Sequence, residues 1–202
     1  MSGPETRIGP NIAIQLADAL RALDGDGAAR RVFAAAGVER YLANPPTDMI
    51  PEVEARRLHE ALRTVTGRVR ARTAAWLSGR RTGDYLLSRR LPRAAQAVLR
   101  RLPYIASSRC LALAIAGHAW TFAGSDRLTV ALWPCVSLTL TPSRPCGSDW
   151  PRLEWAYHGA VLERLFQVLT GPNVVVVESP RRRATGGACR FEIRPRRQGG
   201  RC

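Results

Sequence analysis

Apolar positions in the first two-thirds of the chain recur at helical spacing. Ile12, Leu16, Leu20 and Leu23 share one face behind Pro10-Asn11 as a start signal, and Asp24-Gly25 marks the end. A short helix is predicted from Ala28 to Ala36, stopping at Gly37, before a loop at Asn44-Pro45-Pro46. Leu58, Ala61, Leu62 and Val65 then form the inward stripe of another helix. Val69, Thr73, Trp76 and Leu77 form the next, which Gly79 and Gly83 are expected to interrupt. Pro92 opens a helix with Ala95, Val98, Leu99 and Leu102 inward. From Ile105 to Phe122 nearly every face is apolar, which predicts a helix packed centrally in the fold.

The last third changes period. Leu128, Val130 and Leu132 alternate with polar or small residues, as do Val136, Leu138 and Leu140, with Pro134 between the two runs. That pattern is a hairpin or one strand broken by a bulge. Residues 152–169 return to helical spacing, with Ala156, Tyr157, Ala160, Val161, Leu165 and Val168 on one side, and Gly171-Pro172 ends the helix. Val174 to Val177 reads as a buried strand, Gly186-Gly187 as a turn, and Cys189, Phe191 and Ile193 as a final strand. The predicted class is α+β: N-terminal helices wrapping a mixed or antiparallel sheet formed by a C-terminal β-β-α-β-β unit. The domain reading is one unit over residues 1–195, with a helical part at 7–123, a β-β-α-β-β part at 126–194, and a disordered arginine- and glycine-rich tail at 196–202.

Composition sharpens this picture. The 202 residues are 46% apolar and 23% charged, the balance of a folded globular protein. All 31 basic residues are arginine, which excludes a Schiff-base lysine and a lysine-bearing phosphate loop. The net charge of +15 is uneven: residues 56–109 carry +12 and residues 179–202 carry +7, around a nearly neutral apolar middle. Such zones suit an anionic partner, whether nucleic acid, an acidic membrane surface or a carboxylate ligand, and equally suit a solvated face. Five cysteines without a CxxC pair argue for reduced thiols rather than a disulfide framework or zinc ribbon. Met1 to Pro10 lacks the pattern of a secretory signal, and Cys110 to Ala123 is too short to span a bilayer, so a soluble, cytoplasmic protein is expected.

Candidate chemistry is sparse. No GxGxxG turn or GxSxG elbow is present, so neither a common nicotinamide or flavin site nor a serine nucleophile is visible. His118, beside Trp120 and Phe122, suits an axial ligand to a metallated macrocycle or a donor to a ligand carbonyl; it also suits a helix-end histidine bonded to backbone carbonyls. His59, on an arginine-rich helix, is expected to be exposed, and His158 to face away from its helix's apolar stripe. Trp120, Trp133, Trp150 and Trp155 gather in the second half of the chain, where flat rings could stack on a flat ligand or simply fill a core.

Five motifs in order are more specific. Arg7-Ile8-Gly9-Pro10-Asn11, Thr82-Gly83-Asp84-Tyr85-Leu86-Leu87, His118-Ala119-Trp120-Thr121-Phe122-Ala123-Gly124, Leu162-Glu163-Arg164-Leu165-Phe166 and Cys189-Arg190-Phe191-Glu192 together resemble the bacteriochlorophyll 4-vinyl reductase family, from about Arg7 to Ile193. The part from Trp155 through Glu178 to Ile193 resembles the wider 4-vinyl reductase domain, which also serves as a sensor and shares its fold with haem-based nitric-oxide sensors and Golgi transport subunits. The resemblance implies a helix-wrapped sheet, a homodimer, and an apolar ligand pocket between the helical shell and the terminal hairpins. Sensor members carry a cysteine-rich metal site there. The matching positions in this chain are Glu154, Glu178, Arg181 and Cys189, a set that implies no metal and an ion pair of Glu178 with Arg181 instead.

The function implied is a bacteriochlorophyll-synthesis protein that binds a divinyl magnesium tetrapyrrole (a magnesium porphyrin or protochlorophyllide) and presents it for 8-vinyl reduction or a neighbouring step. The tetrapyrrole is then a bound ligand, with no intrinsic cofactor. Its expected contacts are His118, Trp120, Phe122, Tyr85 and Trp155, with Arg89-Arg90 or Arg80-Arg81 as a fork for a propionate. Expected partners are enzymes of the same pathway and an acidic, photosynthetic membrane touched peripherally, and no nucleic acid. The alternatives are the vinyl reductase itself, with an external electron donor, and a ligand-sensing regulatory module.

Overall fold

Three helices begin directly after a proline whose extended ψ sets the chain's entry. They are α4 (Glu52–Thr66) after Pro51, α6 (Arg93–Arg101) after Pro92 and α7 (Tyr104–Gly117) after Pro103. The computed structural model describes residues 6–143, 153–183 and 186–196. Within them, β1 (Arg7–Ile8) leads into α1 (Asn11–Asp24), α2 (Asp26–Ala35) and α3 (Arg40–Ala43); β2 (Ile50–Pro51) precedes α4 and α5 (Arg68–Tyr85). A π-helical turn at Leu86–Arg90 precedes α6 and α7. A 3-10 turn at Ala119–Thr121 then leads to β3 (Arg127–Ala131), β4 (Ser137–Thr141), α8 (Leu153–Leu169), β5 (Val174–Arg183) and β6 (Gly186–Pro195).

The four long strands form one antiparallel sheet in the order β3-β4-β6-β5, and β1 pairs with β2 in a separate short ladder. The β-β-α-β-β order is the one the sequence predicts. Pro134 stands in a true hairpin, since Leu128 pairs with Leu140 and Val130 with Leu138 across β3 and β4. On β6 the alternation holds: Cys189, Phe191 and Ile193 are buried, while Glu192 bridges Arg190 and Arg194 on the other face. The Gly186-Gly187 pair lies inside β6, with Gly186 opposite Arg183, so it is ladder and not turn. The predicted tail falls outside the described residues apart from Arg196, which donates its backbone N–H to the Asn173 carbonyl.

Two cores result. Leu16, Leu20, Phe33, Leu58 and Leu62 fill the first, among the N-terminal helices, and Leu138, Phe166, Leu169, Phe191 and Ile193 fill the second, against the sheet. Val161 of α8 packs on both. The central helix is therefore α8, buried around most of its circumference, and not the 105–122 segment. In α7 the inward face holds Ser107, Ser108, Leu111 and Ala112, while Ile105 and Leu113 are exposed. α6 likewise turns Val98 and Leu102 outward, and only Gln96 is buried.

Gly79 and Gly83 do not interrupt α5; they let it approach α8. A Cβ at Gly79 would overlap the Tyr157 carbonyl oxygen and lie 2.9 Å from Ala160 Cβ, and one at Gly83 would lie 2.8 Å from Arg164 Cβ. Small residues line the buried stripe of α5, from Ala71, Ala74 and Ala75 to Ser78 and Thr82. The contact is pinned by the Tyr157 hydroxyl, which donates to Thr82 Oγ1 at 3.1 Å. The stripe of larger residues on α5, Val69, Thr73 and Trp76, faces outward, because backbone proximity to α8 selects size over hydrophobicity at the buried positions.

Candidate functional site

The seam between α4, α8 and the 118–126 segment closes on a cavity of about 40 Å³, room for a water or two. His59, 2% exposed, lines it with Nδ1 at 3.9 Å from Glu154 Oε1, and its ring lies 6.2 Å from that of Tyr157. His158 also lines it, its ring 5.9 Å from Phe122. Glu52, at the start of α4, accepts from the Ser125 backbone N–H at 2.9 Å and from Ser125 Oγ at 2.8 Å. This clasp sits in the space reserved by Gly124, whose φ is +58°. Charged and apolar side chains close on this seam together, and the expected slot for a planar ring system is not open here.

Several expected ligand contacts lie elsewhere. His118 is exposed at the end of α7, its Nδ1 2.9 Å from the Ala114 carbonyl oxygen, so it is the helix-end histidine and not part of an apolar wall. Phe122 and Trp155 do meet at the seam, the first half-buried and the second buried. Tyr85 is half-buried at the end of α5, and Arg89 and Arg90 are exposed on the π-helical turn; none of these three borders the seam. Trp120 belongs to the 3-10 turn, and its side chain is outside the described residues.

His59 and His158, expected to be exposed or turned away, are the residues sequence reasoning missed. For His59 a signal was present: it stands four residues after Ala55 and three before Leu62, on the buried face of α4.

The family's metal positions are scattered in role. Glu154 faces His59, whereas Glu178 pairs with Arg72 of α5 at 2.7 Å; the backbone of Arg181 pairs with Ala188, but its side chain, and with it the expected ion pair to Glu178, lies outside the described residues. Gly159 leaves room for that carboxylate, since a Cβ there would lie 2.7 Å from Glu178 Oε1. Among the described residues no three His, Cys, Asp or Glu side chains are placed to hold a metal ion. Cys189 is buried, and burial first, then the Glu178 charge, pushes its thiol up to about 12. Cys110 is exposed. Iodoacetamide at mildly alkaline pH should therefore modify Cys110 in the native protein and Cys189 only after unfolding; peptide masses check this, and early labelling of Cys189 would contradict its burial.

A larger opening lies along α5, beside the end of α4 and the start of α8. A surface cleft of about 510 Å³ is bordered by Arg63 at the end of α4, by Arg68, Val69, Arg72 and Trp76 of α5, and by Leu153 at the start of α8. Trp76 is 42% exposed with the Arg80 guanidinium 5.1 Å from its ring centre, and Val69 is 84% exposed. Glu178 holds Arg72 at the cleft wall. The volume falls within the range of roughly 300–1,000 Å³ typical of small-molecule sites. A flat aromatic face beside three guanidinium groups suits a planar ligand bearing carboxylates. Its sequence signal is the run Arg68, Arg72, Trp76 at four-residue spacing.

No family model matches the chain. The bacteriochlorophyll synthase 23 kDa chain of Cereibacter sphaeroides is 42% identical over 193 residues, which cover 94% of this chain and 91% of that relative. The protein of the same description from Rhodobacter capsulatus is 39% identical over 194 residues, 95% of this chain and 89% of the relative. The chain belongs to this family of bacteriochlorophyll synthase 23 kDa chains. The motif resemblance thus holds at the level of the pathway.

Among solved structures, one described as probing heme distortion in the H-NOX family superposes with a TM-score of 0.60 at 13% identity, over 96% of this chain and 98% of that one. An oxygen-binding H-NOX domain related to soluble guanylate cyclases, in its oxygen complex, gives 0.54 at 13% identity, over 96% and 100%. These establish the fold as H-NOX-like. A heme macrocycle does not fit the seam of this chain, whose cavity is about 40 Å³.

Proposed function

We propose that the chain binds a divinyl magnesium tetrapyrrole in the Trp76 cleft and presents it for 8-vinyl reduction or a neighbouring step of bacteriochlorophyll synthesis. The observation that carries this reading is the pairing of an exposed tryptophan face with Arg63, Arg68 and Arg72 around about 510 Å³. A magnesium tetrapyrrole is flat and apolar with acidic substituents at its edge. Stacking on Trp76 would remove one face from water, and a guanidinium fork would take a propionate. The names of the relatives support the pathway, and the H-NOX-like fold suits a ligand-binding role.

The test is titration of the purified protein with magnesium protoporphyrin, followed by pigment absorbance and tryptophan fluorescence. Binding should weaken about tenfold in Trp76→Ala and in Arg68→Gln, roughly 1.4 kcal/mol each, and stay unchanged in His118→Ala. Folded variants that bind as the wild type does would overturn the cleft assignment. Adding a reductant to the loaded protein separates carrier from reductase: loss of the vinyl group beyond one equivalent per chain would make it the enzyme.

A further inference from the structure

α7 is apolar on its solvent side. It buries Ser107 and Ser108, at 0% and 1% exposure, and leaves Ile105 63% and Leu113 55% exposed. The two serines are satisfied locally, their hydroxyls each donating at 3.2 Å, to the Tyr104 and Ile105 carbonyls. α6 adds Val98 at 58% and Leu102 at 36% exposure. A helix that buries serines and exposes leucine and isoleucine is oriented for something outside the fold.

Charge selects the occupant. Between Asp84 and Asp126 the chain has no acidic residue and six arginines: Arg89, Arg90, Arg93, Arg100, Arg101 and Arg109. The first five are exposed and the sixth is half-buried. A second copy docked through this face would set arginines against arginines with no acid to offset them. An anionic bilayer answers both features. Its headgroups attract the guanidinium groups, and the acyl boundary takes the apolar side chains, while long arginine side chains keep their charge at the headgroup level. No helix among the described residues is long and apolar enough to cross a membrane, so the contact is one of lying on the surface.

We infer that α6, α7 and the preceding π-helical turn form a docking surface for an anionic lipid bilayer. This stands independently of the pigment reading, because it uses none of the cleft residues.

The experiment is co-sedimentation of the full chain with vesicles of phosphatidylcholine alone and with vesicles containing about one-third phosphatidylglycerol. The wild type should pellet with the anionic vesicles, remain in solution with the zwitterionic ones, and be released by high salt. Arg93→Gln/Arg101→Gln should weaken binding by about twenty-five-fold, each surface arginine counting for roughly fivefold. Ile105→Ser/Leu113→Ser should weaken it at least tenfold, and both double variants should keep the wild-type pigment affinity. Equal partition onto both vesicle types overturns the inference, as do double variants that bind like the wild type. So does sedimentation equilibrium in which Ile105→Ser/Leu113→Ser turns a dimer into a monomer, which would give the face to a second copy.

Discussion

Gly79→Ala is expected to lower stability by about 3 kcal/mol, and the melting temperature by about 6–12 °C. In an exposed helix the same change stabilises, because alanine has less backbone freedom to lose. Here the sign reverses. The added methyl would overlap the Tyr157 carbonyl oxygen and press on Ala160, and neither backbone can retreat without parting α5 from α8. That movement would also pull Thr82 away from the Tyr157 hydroxyl, leaving two buried polar groups without each other. Gly27→Ala is the internal control, since its Cβ would meet only the end of the Arg31 side chain at 3.7 Å, and it should be neutral or stabilising by up to about 1 kcal/mol. Urea denaturation of the two variants settles it, and a Gly79→Ala protein as stable as the wild type would mean that the helices do not meet as described.

The second large effect is expected at Gly124. Its φ of +58° costs an L residue about 1–2 kcal/mol. A Cβ there would also stand 2.8 Å from Glu52 Oε2 and 2.9 Å from Ile8 Cγ2. The carboxylate cannot swing away freely, because Ser125 donates to it through both backbone and side chain in a buried position. Gly124→Ala should therefore cost about 3 kcal/mol, the sum of backbone strain and a weakened charged hydrogen bond. Glu52→Ala removes the obstacle along with the bond, so the double variant should be less destabilised than the two single effects added. Additive effects in a denaturation cycle would show that the clasp and the glycine are unrelated.

The glycines also show how far the sequence could be read. Element order, the two alternating runs on either side of Pro134 and the alternation of β6 follow from period alone, because side-chain spacing is a property of the backbone, whereas only the β3–β4 register makes those runs a hairpin and not one bulged strand. Period does not say which of two stripes on a helix faces inward when one is made of small residues. On α5 the eye goes to Val69, Thr73 and Trp76, yet the alanines and glycines are buried, since closeness of two backbones substitutes for bulk. The same inversion hides α7, where apolar character on nearly all sides suggests a central position that α8 in fact occupies.

The candidate site was legible only in fragments. Phe122 and Trp155 both border the seam, but the histidine beside them is His158 from α8, and the one opposite is His59 from α4. Residues over 90 positions apart meet there, and a single sequence carries no record of such meetings. The arginine–tryptophan cleft was written in plain spacing on α5, but it became visible as a cleft only once the ends of α4 and α8 were placed beside it.

Val161 carries a consequence of its own. One side chain is shared between the two cores, on a helix that reaches the rest of the molecule on nearly every side. Neither half owns a finished interior: the helices before residue 143 lack their keel without α8, and the sheet lacks its lid. The molecule is therefore expected to melt in one transition, with calorimetry as the check, and a shortened version ending before α8 is expected to be a collapsed chain rather than a smaller working protein.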